Sequence, residues 1–400
     1  MQVHKNKQQL QELNQKRVYQ YLFEHRQATK TQMVYDLQLS VPTVTSHLNQ
    51  LLKEKKIRIT DESESTGGRP AMKYQFCNTW RIAIGVEITV SYTRIAALDL
   101  YGTVLAEDYL DLPFLEEPYQ SRKEGRELFL EMKYMDQPNN IKKGYFELFG
   151  KWAGDFIEQL GVAQEAILGM TISIQGIIRK DGETLLYGIN TSITRSDFAR
   201  YFSFPVMLIH DSEAAAIAES WYWSNLTNVI FLSLNPQLGS ALILDGKVVH
   251  TDNLSSGTIE HIILYPNGKE CWCGKRGCVD SYCSSNSLVL RSGESLEQFF
   301  EGVRNGKERN VNIWREYKED LALVIDNLRM MVCCDVLIGG VLEKYMTDQD
   351  FQEIIDRIES ITTFKTISPR FYRGHYGEKA AVNGAALTYI IKWLGSEQLF

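Results

Sequence analysis

The 400-residue chain has no apolar run as long as a membrane-spanning helix requires. Its opening stretch, MQVHKNKQQLQELNQ, is polar and lacks the apolar core of a secretory signal. These two absences predict a soluble, cytoplasmic protein with no membrane partner. Thiols stay reduced in that compartment, so the seven cysteines argue for metal or catalysis before disulfides. No repeat is visible at the level of identity. What is present is ample apolar material, 44% of residues, enough to bury large cores in two or three domains.

The net charge of −7 is unevenly spread. Residues 1–76 carry 12 Lys+Arg against 7 Asp+Glu, a balance of +5, which leaves 31 against 43, or −12, for the remainder. A basic head on an acidic body suggests that the head meets a polyanion.

Apolar residues recur at helical spacing three times in the head, in KRVYQYLFEH, KTQMVYDLQ and SVPTVTSHLNQLLKEKK. Ser40 is suited to cap the third helix, with Pro42 in its first turn. Val41, Val44, Leu48 and Leu51 are expected to face the other two helices. That arrangement leaves Thr43, Thr45, Ser46 and His47 near the start of the outer face, where a recognition helix reaches base edges. IRITDESESTGGRPAMKYQF then reads as strand, turn, strand, the wing of a winged helix. Gly67 and Gly68 would admit a close backbone approach, with Arg69 and Lys73 available to phosphate or the minor groove. A three-helix protein-docking module is the alternative.

Two stretches of the body share one plan. RIAIGVEITVSYTRIAALDLYGTVLAEDYL and NVIFLSLNPQLGSALILDGKVVHTDNL both read as three strands joined by tight turns. They predict two α/β lobes with a ligand cleft between them. In FPVMLIHDSEAAAIAESWYW an apolar strand runs into an alanine-rich helix, and His210 and Asp211 mark the junction. A carboxylate there is placed for ligand contact, although the pair also reads as an ordinary helix cap.

Four of the seven cysteines fall within CWCGKRGCVDSYC, residues 271–283. With the upstream histidine they form H-x9-C-x-C-x4-C: His261, Cys271, Cys273 and Cys278. Three thiolates and an imidazole match closed tetrahedral Zn2+, a structural metal, with Gly274 and Gly277 permitting the tight loop. A redox Cys-x-Cys pair would leave His261 and Cys278 unexplained. Cys77, Cys333 and Cys334 read as small buried hydrophobes.

The zinc motif and HDSEAAAIAE resemble the corresponding segments of the ROK family (repressors, open reading frames and sugar kinases). A winged helix, GGRP and two lobes in that order resemble its regulator branch, which includes xylose and N-acetylglucosamine repressors. The resemblance implies a winged helix-turn-helix over residues 1–76 and an actin-like (ribonuclease H-like) two-lobed α/β fold. The first lobe would span 77–205, with a C-terminal helix, 378–396, returning to it. The second, 206–377, would carry the zinc site and an oligomerisation surface.

The family's kinases hold ATP phosphates in two glycine-rich turns. The first resembles I-G-x-D-x-G-G-T, and this chain has IGVEITVS, with Glu87 at the acidic position and Thr89 and Val90 replacing glycines. The second resembles G-T-G-x-G-x-G, and here NPQLGSA keeps Gly239 while Pro236 removes a donor. VLIGG at 336–340 persists. The expectation is therefore a regulator without kinase activity or ATP, probing operator DNA as a homodimer or homotetramer. It would be a repressor of carbohydrate genes answering to a sugar effector. A kinase with an appended head, or a regulator without a small-sugar effector, are the alternatives. The resemblance places the effector at His210, Asp211, Thr258 and Asp280. Thr258 stands where the family has a glutamate, and Glu260 lies beside the metal histidine. Residues 116–143, highly charged, are expected to be a surface excursion or a partner-contacting arm.

Overall fold

A computed structural model describes residues 2–60, 72–112, 114, 141–179, 182–188, 193–249, 257–363, 365 and 369–396. Arg69 and most of the charged stretch 116–143 lie outside the described residues.

The head contains α1 (Gln2–His25), β1 (Gln27–Thr29), α2 (Lys30–Leu37), α3 (Val41–Lys53), β2 (Ile57–Thr60) and β3 (Lys73–Phe76). Local chemistry sets the helix starts. Thr29 closes a capping box with Gln32 on α2, and the Ser40 side chain accepts the Thr43 N–H at 3.3 Å on α3. The apolar stripes then meet in a small core of Val18, Leu22, Met33, Val44, Leu48 and Leu51, each at most 1% exposed. The three strands pair antiparallel in the order β1-β3-β2 beside it, giving a winged helix-turn-helix.

The body continues with β4 (Ile82–Ile88), β5 (Thr93–Asp99), β6 (Val104–Leu110), α4 (Tyr145–Gln159), β7 (Ile167–Ile174), β8 (Gly176–Ile178), β9 (Leu185–Gly188), α5 (Arg195–Ala199), β10 (Val206–His210) and α6 (Asp211–Tyr222). There follow β11 (Val229–Leu234), β12 (Leu238–Leu244), β13 (Lys247–Val248), α7 (Asp280–Cys283), α8 (Ser285–Ser292), α9 (Leu296–Arg304), α10 (Glu308–Met331), β14 (Asp335–Gly339), α11 (Asp348–Ile361), β15 (Phe371–Arg373) and α12 (Ala380–Ser396).

The two large sheets run β10-β7-β4-β5-β6 and β13-β12-β11-β14-β15. Counted in chain order within each sheet, both read 3-2-1-4-5. In both, the second strand is antiparallel to the first and the fourth is parallel to it. This shared topology is the actin-like pair of lobes.

β4 is buried on both faces, and its sequence is correspondingly apolar throughout. Ile82, Ile84, Val86 and Ile88 pack with Tyr145, Phe149 and Phe156 of α4. The opposite face meets α12, which approaches Gly85 so closely that a side chain there would enter the Val382 carbonyl. In the second lobe, Ile230, Leu232 and Leu234 pack with Phe299, Trp314 and Tyr317, while Val229 and Phe231 pack with Ala215 and Ala216 of α6. Helices α6 and α12 thus form a layer between the sheets. The run of alanines in α6 is what lets the layer be thin, and a β-carbon at Gly384 of α12 would collide with the Ala214 carbonyl.

The head is joined to the first lobe by more than its linker. Leu22, Leu48 and Phe76 share one buried cluster with Ala96, Leu98 and Leu100 and with Leu387, Ile390 and Leu394 of α12. Polar contacts lock the same seam. The Trp80 indole donates to the Tyr19 hydroxyl at 2.9 Å, and the Tyr101 hydroxyl donates to the Phe23 carbonyl at 3.1 Å. The Arg26 guanidinium lies 4.7 Å over the Tyr101 ring.

Among the described residues no helix is long and apolar enough to cross a membrane. Two expectations are corrected here. Val41 is 52% exposed, because the first residue of α3 projects past the helices it was expected to touch. Cys333 is exposed and Cys77 only partly buried, whereas Cys334, next to Cys333, is buried where the chain enters β14.

Candidate functional site

On α3, Ser46 is exposed and Thr43 and Thr45 are partly so. Two of these hydroxyls have local partners: Thr43 with the capping Ser40 at 2.8 Å, and Thr45 donating to the Val41 carbonyl at 2.8 Å. His47 is a correction. It is only 7% exposed, and burial lowers its pKa. Three residues after Val44 and four before Leu51, it lies on the flank of the buried stripe rather than on the outer face. Lys73 is half-buried on β3, opposite Thr29 and Thr60.

His261, Cys271, Cys273 and Cys278 converge, their ligand atoms all within 4.8 Å of one another. The His261 Nδ1 lies 3.7 Å from the Cys271 sulfur, and the Cys273 and Cys278 sulfurs are 3.7 Å apart. Bonds of about 2.3 Å from zinc to sulfur in a tetrahedron require sulfurs about 3.8 Å apart, so the donors fit that ion. The loop holding them needs its glycines. Gly274 and Gly277 have φ of 87° and 84°, and a β-carbon on Gly277 would strike the Tyr265 carbonyl. Burial lowers the His261 pKa to about 4, keeping the imidazole in its neutral, ligating form.

Between the lobes lies a cavity of about 310 Å³. It runs along β10, the last strand of the first sheet, whose Leu208 N–H donates to the Gly182 carbonyl at 2.9 Å, and is lined also from β8, α6, β12 and the residues at and after β13. His210 and Thr258 line it, with Arg179, Glu213 and Ser240 as further polar groups and Ile177, Ile209 and Ile217 among the apolar ones. Asp211 stands at the first position of α6, one third exposed. Its Oδ1 lies 3.4 Å from His210 Nε2 and accepts the Ser212 N–H at 2.8 Å. His210 is the residue before the helix, but its side chain makes no capping bond. Of the four residues expected to hold the effector, His210 and Thr258 line this cavity, whereas Asp211, beside His210, and Asp280 do not. Asp280 is 5% exposed, accepts the Leu238 N–H at 2.7 Å, and burial raises its pKa to about 7.

Three residues outside the cavity lining carry geometry that the motifs did not single out. Burial raises Glu260 to about 7, among the charges of His210, Asp280 and Asp211, and its Oε2 is sealed without a hydrogen-bond partner. Burial likewise raises Glu87 to about 8. Arg94, opposite Glu87 on β5, approaches it at 3.9 Å and also donates to the Glu378 carbonyl at 2.8 Å. The only signal for Arg94 was its cross-strand register with Glu87, which a sequence without known pairing does not declare.

In both turns that resemble phosphate cradles, several backbone donors are already engaged. The Thr89 hydroxyl accepts the N–H groups of Ser91 at 3.2 Å and Tyr92 at 3.0 Å. In the second turn Pro236 has no N–H, and that of Leu238 is given to Asp280.

The ROK family model matches residues 127–390. A xylose repressor of Caldicellulosiruptor bescii is 23% identical over 286 residues, covering 70% of this chain and 66% of its own. A crystal structure of a ROK family transcriptional regulator, a homologue of the E. coli MLC protein, superposes with a TM-score of 0.68 at 19% identity over 98% of both chains. The ROK hexokinase of Thermus thermophilus superposes with a TM-score of 0.61 at 16% identity, over 78% of this chain and 99% of its own. At such identities the superpositions establish the fold, whereas the family match spans most of the chain. The protein belongs to the ROK family.

Proposed function

We propose that the protein is a DNA-binding transcriptional repressor whose operator affinity is changed by a sugar held in the interlobe cavity. The observation that carries this reading is the winged helix packed into one core with a kinase-like body whose phosphate turns are filled. N–H groups engaged in this way are not offered to ATP oxygens, and Pro236 has none to offer. The body therefore senses and does not phosphorylate. A xylose repressor and an N-acetylglucosamine repressor among its relatives support a carbohydrate signal.

Thr43, Thr45 and Ser46 meet the operator, with Lys73 and Arg69 contributing phosphate contacts from the wing. His47 acts by holding α3 in the head's core. Reading a palindrome takes two heads, so the body dimerises or forms a tetramer. Zinc bound by His261 and the three cysteines serves as a structural clamp on the loop beside the cleft.

The effector is held by His210 and Thr258, which line the cavity, with Asp211 and Asp280 reached as it settles beside His210. A sugar changes DNA affinity only by binding one lobe arrangement better than the other. Helix α6 gives that preference a path. It begins at Asp211, and near its far end the Trp221 indole donates to the Tyr101 carbonyl at 3.3 Å, next to the Tyr101–Phe23 contact with the head.

The test is capture of genomic fragments by the purified full chain, repeated with a panel of sugars. A few palindromic sites, released by one sugar, are expected. Asp211→Ala should keep the sites but need about tenfold or more sugar for release, as a charge-assisted hydrogen bond contributes about 1.5–3 kcal/mol. Unchanged release in that variant would place the effector elsewhere, and ATP-dependent sugar phosphorylation would overturn the reading.

A further inference from the structure

Helix α3 turns by about 100° per residue. Its inner face is set by the buried Val44, Leu48 and Leu51. The line pointing directly away from the head's core therefore runs through Pro42, Ser46, Asn49 and Lys53, spaced i, i+4, i+7 and i+11. All four are exposed. Thr43 and Thr45 fall on the flanks of this line, and their hydroxyls are held by Ser40 and by the Val41 carbonyl. Ser46 and Asn49, at the middle of the outer line, are separated by about 4.5 Å along the axis, little more than one base-pair step.

Asn49 differs from the rest of that line. Asparagine is a poor residue for a helix interior, where its amide does best by capping an end or bonding back to the chain. Asn49 is the ninth of the thirteen residues of α3, too far in to cap either end. Its neighbour Gln50 donates to Glu54 at 3.0 Å, whereas the Asn49 amide has no hydrogen-bond partner among the described residues. A helix lying in a major groove presents such a side chain to base edges. An amide offers one donor and one acceptor side by side. That pair complements adenine, whose N7 accepts and whose N6 amino group donates, and not guanine, whose N7 and O6 both accept. No acidic residue shares the outer line, and Lys53, one turn on, is placed for the phosphate backbone.

We propose that Asn49 is a specificity-determining residue of the DNA-reading helix, recognising an adenine in the major groove. Its Nδ2 donates to adenine N7 and its Oδ1 accepts from N6. The assignment rests on the reading of the head as an operator-binding module. It fixes one adenine in a half-site and, with two heads on a palindrome, its symmetry mate in the other.

Selection from a randomised pool of DNA duplexes by the purified full chain tests it, run in parallel with Asn49→Ala and Asn49→Arg. Wild type should fix adenine at one position of each half-site. Asn49→Ala should select the same site with that position free. It should bind the wild-type site about tenfold or more weakly, yet match wild type on a site already changed at that position. Asn49→Arg should move the preference at that position to guanine. Alanine is the better helix former, so Asn49→Ala should melt no lower than wild type, whereas a structural role for the amide would lower it. An unchanged base preference in Asn49→Ala overturns the assignment. So does an equal loss of affinity for every duplex, the mark of a phosphate contact. A wild type that prefers no sequence would remove the operator reading of the head and this assignment with it.

Discussion

Single buried side chains lie close to the limit of what burial allows. Burial raises the Glu87 carboxyl to about 8, Arg94 opposes the shift, and Asp211 and Glu378 add to it. The folded state therefore holds a proton that the unfolded chain releases near 4.5. The stability associated with that proton is complete below about pH 4.5 and is lost as pH rises toward 8. Glu87→Gln, which cannot ionise, should match wild type in acid and become the more stable protein as pH climbs through this window. Urea midpoints at pH 5, 7 and 9 would show it, and curves that run parallel would refute it. The Cys271→Ser variant probes the other residue-scale commitment. It should lose bound zinc and melt several degrees lower, as a structural metal contributes folding energy directly. One zinc per chain at an unchanged melting temperature would contradict the closed site. The Cys/His cluster was readable in the chain because its spacing is short and its chemistry is unusual. Glu260 was visible but unassigned, since only its sealed oxygen separates it from an ordinary surface glutamate.

Among the elements, α6 and α12 matter most, because they lie between the sheets and the cavity opens beside them. Their approach depends on residues too small to keep them apart. Gly384→Ala would drive a methyl group into the Ala214 carbonyl. It should cost about 1–3 kcal/mol and shift α6, whose first residue is Asp211. Lower stability and weaker sugar response together, read by denaturation and operator release, are expected. A stable variant with a normal response would show that the two helices can part at no cost. Helix types and starts were legible from caps and periodicity, as with Ser40 and Thr29. The wheel of α3 misled at His47 because it sits at the edge of the apolar stripe, where one neighbouring element decides whether a side chain is covered.

At the scale of the whole molecule, the head is an extension of the first lobe. Phe76 packs on Tyr19, Phe23 and Tyr101 with ring centroids 5.2–5.6 Å apart, bridging the two. Phe76→Ala should cost about 3–5 kcal/mol. The loss should appear in the hydrogen exchange of β5 amides as well as of α3 amides, because both rest on the same core. Faster exchange confined to the head would mean that it folds separately, and the path from cleft to operator would need another carrier.

The chain alone determined what depends on local spacing: three head helices, two matching sets of strands, the Cys/His ligand set and the loss of both phosphate turns. Each follows from residues within a turn, a strand or a short loop of one another. Only tertiary structure decided what depends on approach from afar. It put α6 and α12 in one layer, set Arg94 against Glu87 and Glu378, left the Glu260 oxygen without a donor, and merged the head's core with that of the first lobe. Those outcomes come from packing between segments up to 284 residues apart, as in the Arg94–Glu378 contact. Burial there depends on all the layers at once and is not encoded in any one of them.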